Sequence, residues 1–336
     1  MRRILIVVLA AGSLAAGATR HRGTAHRIKT PPPPSFDVNV VNAATTADTV
    51  SQKDSGSAVL RAQILLDRAH FSVGEIDGRF GIDMVNTVKA YQAAHNLPPD
   101  GTVNADTWKA LNADTQPALV PYTILAPDVA GPFIKRIPSN MMAQAKLPNM
   151  GYTSPLEELG ERFHCSPKLL EQLNNGKNFN KPGEQIIVPS VTRPPLPDQA
   201  ALVLVKKNCG CVEVLDAQNK VIAHYPATMG SVHDPLPIGD WKIEKPIFNP
   251  TFHYNPKLFW DAKSKDTKAA IKPGPNNPVG LVWIGISKEH YGIHGTPEPS
   301  EIGRTQSHGC IRLTNWDAVE FANLVQPGMT ASLRAS

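Results

Sequence analysis

The chain is short of cysteine, of aromatic residues and of long apolar runs, and each scarcity closes a class of explanation. Four cysteines in 336 residues are too few for a disulfide-stapled scaffold, so ordinary hydrophobic cores must hold the fold. Charged residues make up 19% and the net charge is +5, with no basic block that would argue for a nucleic-acid partner. That mild positive balance is compatible with an acidic polymer. No apolar run reaches the roughly 18 residues that a membrane-spanning helix needs. Proline, by contrast, is abundant at 31 residues and concentrates between periodic segments, where it reads as linker.

Arg2 and Arg3 precede an apolar stretch from Ile4 to Leu14, and Ala16, Gly17 and Ala18 follow. A basic start, a short apolar core and a small-residue cleavage site describe a secretory signal peptide over residues 1–18. No cysteine follows it, so lipoprotein processing is not indicated. Its removal takes away two arginines and no acid, lowering the net charge from +5 to +3. The product is expected to be an exported monomer of the periplasm or cell envelope, without a membrane span. Residues 19–57 are poor in large apolar side chains and include Pro31 to Pro34. They read as a disordered tether.

Residues 58–112 carry helical periodicity. Val59, Leu60, Ala62, Ile64 and Leu66 form one face, Val85, Val88 and Tyr91 a second, and Ala105, Trp108 and Leu111 a third. Turns at Asp77-Gly78-Arg79-Phe80 and Asp100-Gly101-Thr102-Val103 separate them, and Asn104 caps the last helix. A three-helix bundle is expected. The two Asp-Gly turns, Tyr91-Gln92 and Thr107-Trp108 resemble the peptidoglycan-binding domain that accompanies wall enzymes.

Residues 113–150 hold Pro117, Pro121, Pro127, Pro132, Pro138 and Pro148 and read as an extended connector. Residues 151–190 contain two short helices, Pro155 to Phe163 and Pro167 to Leu173, the second opened by a Ser166 cap and a proline at its first position. With Gln185 to Pro189 behind them, they make an α+β module that resembles LysM, a glycan-binding fold. Gly151-Tyr152-Thr153 stands where that family usually has Gly-Asp-Thr. Arg193 to Pro197 forms a further linker.

Residues 199–336 are mainly β. Runs at Ala201–Val205, Cys211–Leu215, Val221–Tyr225 and Leu281–Ile286 alternate with turns, the turn Asp216 to Asn219 making a hairpin of the second and third. Thr314 and Asp317 form a variant capping box for one helix through Val325.

The chemistry concentrates in Tyr291-Gly-Ile-His294-Gly295-Thr296 and Ser307-His308-Gly309-Cys310-Ile311-Arg312. A thiol is a strong nucleophile only when its proton is removed or its pKa lowered, and histidine does both. Glycine-bearing turns let backbone amides approach a reacting carbonyl, so His308, Gly309 and Cys310 suit an oxyanion hole. The paired motifs resemble the L,D-transpeptidase catalytic (YkuD-type) family, with support upstream from His233 to Trp241 and from Pro273 to Pro278. The resemblance implies a β-sandwich-like fold and transfer of a peptidoglycan stem peptide through a Cys310 thioester. It assigns the base to His294, with Gly295 orienting the ring by its carbonyl. His308, two residues from the thiol, competes for that role.

Arg312 offers a planar cationic fork for a stem-peptide carboxylate, a structural ion pair being the alternative. Ser307 is an orienting residue or a local cap. Tyr254, Trp260 and Trp283 line a cleft or belong to the core. His294, His308 and Cys310 are also metal-ligand types, yet the family uses no metal and a glycine turn suits an oxyanion better, so no metal or other cofactor is expected. Cys209-Gly210-Cys211 looks like a metal or redox pair. A bridge between residues i and i+2 is geometrically strained and no second ligand pair follows, so structural or incidental cysteines are expected. With Cys310 reduced, at least one of the other three is also unpaired within the chain.

The acceptor is open at this stage: an amine gives cross-linking, and water gives a stem-peptide hydrolase. A wall-binding adaptor with a silent catalytic domain is the reading from another class. The partner in every case is peptidoglycan.

Overall fold

The computed structural model describes residues 35–196 and 199–336, so the expected signal peptide lies outside the described residues. Chain order begins with helices α1 (Val38–Asn42), α2 (Ser57–Arg68), α3 (Ile82–Ala94) and α4 (Ala105–Leu111). The Asn104 side chain caps α4 by accepting from the Thr107 N–H at 3.0 Å, as its position requires. Trp108, Leu60, Ile64, Val88 and Tyr91 are buried together. Each such side chain contributes about 1.5–3 kcal/mol on leaving water.

Residues 35–57 were expected to be a loose tether, and the structure packs them. Val41 is fully buried, Val50 forms a bridge with Val103, and the Trp108 indole N–H donates to the Asp48 carbonyl at 2.7 Å. The segment has too few apolar residues for a core of its own. It is ordered by the hydrophobic surface that the bundle already presents.

The expected connector is also structured. Strand β1 (Leu119–Thr123) precedes α5 (Ala126–Ala130) and α6 (Met141–Gln144). Helices α7 (Pro155–Arg162) and α8 (Pro167–Leu173) follow, then β2 (Gln185–Pro189). Strands β1 and β2 pair antiparallel, Leu119 opposite Pro189 and Thr123 opposite Gln185. The first strand of the middle module therefore lies some thirty residues upstream of Gly151. Pro121 obscures it in sequence, but a two-stranded sheet is all edge and tolerates a missing N–H. Leu159, Leu169, Leu170, Ile186 and Val188 share one core with the bundle.

The remaining strands are β3 (Leu202–Lys206), β4 (Cys211–Leu215), β5 (Val221–Pro226), β6 (Thr228–Met229), β7 (Gly239–Lys242), β8 (Ile247–Phe248), β9 (Phe252–Tyr254), β10 (Ala269–Ile271), β11 (Val282–Gly285), β12 (Gly292–His294), β13 (Ile311–Arg312) and β14 (Thr330–Arg334), with α9 (Asn315–Leu324) before β14. Ten of them form two five-stranded sheets, β6-β13-β12-β11-β8 and β5-β4-β3-β14-β7, while β9 and β10 pair by themselves. Val203, Val205, Val212 and Val214 from one sheet meet Val282, Ile284, Ile293 and Ile311 from the other in a second core. This is the expected sandwich, and period-two alternation sends the intervening residues to the two outer faces.

The bundle, the proline-rich linker and the β domain meet at one buried cation. The Arg193 guanidinium contacts Asp67 of α2 at 2.6 Å, Asp317 of α9 at 2.8 Å and Glu320 of α9. Burial alone would raise the Asp67 carboxyl, but Arg193 and His164 overcome it and hold the group below its usual range. Asp317 is half of the capping box expected from sequence, and only half of that motif forms. The Thr314 hydroxyl accepts from the Asp317 N–H at 3.3 Å, while the Asp317 carboxylate serves Arg193 and the Ser72 hydroxyl. Replacing Arg193 by Met leaves buried carboxylates without their counter-ion. The full chain should lose about 3–5 kcal/mol of stability, measured by denaturant unfolding, and R193K should recover part of it.

Candidate active site

Strands β12 and β13 run parallel, with Ile293 beside Ile311 and His294 beside Arg312. Because Ile293 and Ile311 face the inner core, His294, Cys310 and Arg312 fall together on the outer face of that sheet. The two sequence motifs are thus brought side by side by strand register.

His294 is only 4% exposed and stacks on Trp283, its antiparallel neighbour, at 5.5 Å between ring centroids. Its Nδ1 lies 2.7 Å from the Gly295 carbonyl. Nδ1 donates that hydrogen bond, which leaves Nε2 as a lone-pair acceptor. Burial, aided by the Arg312 charge, lowers the imidazole to about 3, against the bond to Gly295, which raises it. The Cys310 thiol is pushed up to about 11 by burial, with a backbone hydrogen bond from Gly292 and the Arg312 charge pulling the other way. At neutral pH both groups are therefore uncharged, and the Cys310 thiol donates to the His290 carbonyl at 3.7 Å.

Gly309 adopts φ +96°, and a Cβ there would sit 2.6 Å from a Tyr291 ring carbon. Only glycine allows this turn under that ring. Among the described residues, the backbone N–H groups of His308, Gly309 and Cys310 donate to no protein acceptor. Three successive free donors beside a nucleophile suit a developing oxyanion. Ser307 braces the turn: its hydroxyl donates to the Cys310 carbonyl at 2.5 Å and accepts from the Gly230 N–H at 2.7 Å.

His308 points elsewhere. Its Nε2 lies 2.9 Å from Asp261, and its ring packs against Phe259 and Trp260. These three belong to the excursion between β9 and β10, residues 255–268, and Trp260 also stacks on His233 at 4.6 Å. Trp260 is 59% exposed, whereas Tyr254 is buried at the base of this flap with its hydroxyl 3.1 Å from Asp266. So Trp260 packs beside His308 and Trp283 beside His294, whereas Tyr254 is buried. His233, Asp261 and Tyr291 received no role from sequence, although His233 and Tyr291 lie within the quoted motifs. For Asp261 only the folded flap supplies the signal.

Arg312 is half-buried, and among the described residues no carboxylate comes within 4.0 Å of it. Its side chain remains available to an incoming anion. Cys209 and Cys211 are joined by a disulfide and Cys165 is a buried free thiol. The bridge was not expected from an i, i+2 spacing. Gly210 at φ +59° turns the chain so that the two Cα atoms sit 5.3 Å apart, within the ordinary range for a disulfide.

Residues 200–332 match the family model described as "L,D-transpeptidase catalytic domain", and residues 55–111 match one described as "Putative peptidoglycan binding domain". A Bacillus licheniformis protein named "Putative L,D-transpeptidase YkuD" is 29% identical over 181 residues, covering 53% of this chain and 92% of that protein. An Escherichia coli protein named "Probable L,D-transpeptidase YbiS" is 28% identical over 173 residues, or 50% of this chain and 56% of that one. A solved L,D-transpeptidase from Mycobacterium smegmatis shares 16% identity and a TM-score of 0.33, covering 47% of this chain and 76% of that one. The chain carries an L,D-transpeptidase catalytic domain at residues 200–332 behind a peptidoglycan-binding domain at residues 55–111.

Proposed function

We propose that this chain is an exported peptidoglycan L,D-transpeptidase acting as a monomer in the cell envelope, with Cys310 as nucleophile and His294 as general base. The observation that carries the reading is the register of β12 on β13, which sets an imidazole with a free Nε2 and a thiol on one sheet face. His294 takes the Cys310 proton as sulfur attacks the amide carbonyl of a donor stem peptide. The C–N bond breaks, the terminal D-amino acid leaves with that proton, and a thioester remains. An acceptor amine then attacks the thioester, the C–S bond breaks, and the amine proton returns through His294 to sulfur. The N–H groups of His308, Gly309 and Cys310 hold the oxyanion in both steps, and Arg312 receives a stem-peptide carboxylate.

The bundle at residues 55–111 keeps the enzyme on the wall. The middle module, in which α7 and α8 lead into β2 and β2 pairs with β1, supports a LysM-like reading. Incubation of the purified enzyme with a defined tetrapeptide muropeptide, followed by mass spectrometry, tests the activity. Cross-linked dimers with release of the terminal D-amino acid are expected. Trimmed stems with no dimer at saturating acceptor would instead make water the acceptor, and no acyl-enzyme at all would favour a wall-binding adaptor.

A further inference from the structure

The outer face of the second sheet holds a cluster that the transpeptidation chemistry does not use. Cys211 and Glu213 alternate along β4 onto one face, and Glu213 stands directly opposite His224 on β5. One ligand atom from each lies within 4.8 Å of the others, with His224 Nδ1 3.6 Å from Glu213 Oε1. The three are 0%, 4% and 1% exposed. The disulfide places the Cys209 sulfur at the same point. The sequence offers one Cys pair and nothing after it, whereas strand alternation and cross-strand register supply the second pair of ligand types.

His224 gives the cluster its meaning. Neither ring nitrogen has a hydrogen-bond partner, and buried polar groups left unmatched are rare and costly. Its backbone is fixed on both sides, the N–H donating to the His70 carbonyl and the carbonyl accepting from the Ser72 N–H, each at 2.9 Å. The Asn86 side chain holds the Cys209 carbonyl at 3.0 Å. The bundle thus clamps the chain around the cluster and leaves the imidazole lone pair uncommitted.

We propose that Cys209, Cys211, Glu213 and His224 form a redox-gated site for a zinc-class divalent cation. In the oxidised protein the disulfide withholds both sulfurs. A dithiol reductant opens it by exchange: the Cys209–Cys211 bond breaks, the reductant's own disulfide forms, and two electrons and two protons pass to the cysteines. Two thiolates, one carboxylate and one imidazole then make the four-donor set of a tetrahedral site, and both thiol protons leave when the cation binds. Lys206, now 2.7 Å from Glu213 and partly exposed, swings into solvent to free the carboxylate.

The test uses the full chain carrying Cys310→Ala, which removes the thiol of the other site. After dithiol reduction and anaerobic desalting, cobalt(II) titration should give thiolate-to-cobalt charge-transfer absorption saturating at one equivalent, and zinc should bleach it. The unreduced protein should give none. His224→Gln should weaken binding by about tenfold or more, and replacing Cys209 and Cys211 together by Ser should abolish the band. Absence of the band in the reduced parent overturns the proposal, as does an unchanged band in the double serine variant. If that variant fails to fold, the oxidised and reduced forms of one protein still decide the matter.

Discussion

Replacing Cys310 by Ser lowers kcat/KM for muropeptide cross-linking by about 10⁴–10⁶-fold. The substitution keeps a donor of similar size on the same turn, so the Ser307 bond to the residue-310 carbonyl and the Tyr291 ring over Gly309 remain. What goes is the sulfur's intrinsic nucleophilicity, which a hydroxyl beside the same base does not match. The melting temperature should be unchanged, separating lost chemistry from lost fold. The wild-type thiol carries a second signature. Pushed up to about 11, it is protonated at rest, so iodoacetamide alkylation should be slow at neutral pH and should quicken as pH rises. Fast alkylation at pH 7 would mean a standing thiolate. Full cross-linking by the serine variant would remove Cys310 from the mechanism altogether.

The proposed nucleophile and its proposed base stood out in sequence because each sits in a short, glycine-bearing turn that leaves its mark in adjacent letters. Caps and hairpins were legible for the same reason. Asn104 and Ser166 satisfy helix N–H groups within three residues, and Asp216 accepts from Gln218 and Lys220 within its own turn. Features made by distant pairing left no such mark. Strand β1 becomes a strand only by finding β2, more than sixty residues on. Arg193 looked like the charged end of a linker because its partners Asp67, Asp317 and Glu320 lie more than a hundred residues away in either direction.

The same physics explains why three modules read as beads on a string. Proline-rich joins predict separation only if nothing holds the flanking surfaces together. Here the bundle and the middle module share one core. The edge strand β5 is covered by a backbone bridge from Phe71 to His224, which also removes an exposed strand edge. The seam is polar well beyond Arg193, with Asn86 on the Cys209 carbonyl, Asn276 on Glu157 and Asn315 on Glu161. The flap is similar: Trp260, Phe259 and His308 meet only after the excursion between β9 and β10 folds back over the nucleophile turn.

His294→Gln should cost about 10²–10⁴-fold in kcat/KM, the usual contribution of a general base, whereas His308→Gln should cost less than about tenfold. The geometry separates two residues that distance along the chain does not. His294 spends Nδ1 on the Gly295 carbonyl and keeps Nε2 free, and Trp283 fixes its plane. His308 spends Nε2 on Asp261 and packs among flap aromatics, so its loss loosens the flap and should appear mainly in KM. The pH dependence gives an independent reading. The imidazole, lowered to about 3, is neutral and able to accept a proton at any higher pH. Activity is therefore lost only as pH falls through that value, and kcat/KM should stay level from weakly acidic to weakly basic solution. An acid limb near neutrality would mean that the base titrates as an ordinary exposed histidine. If that limb vanished in His308→Gln and that variant carried the greater loss, His308 would be the base.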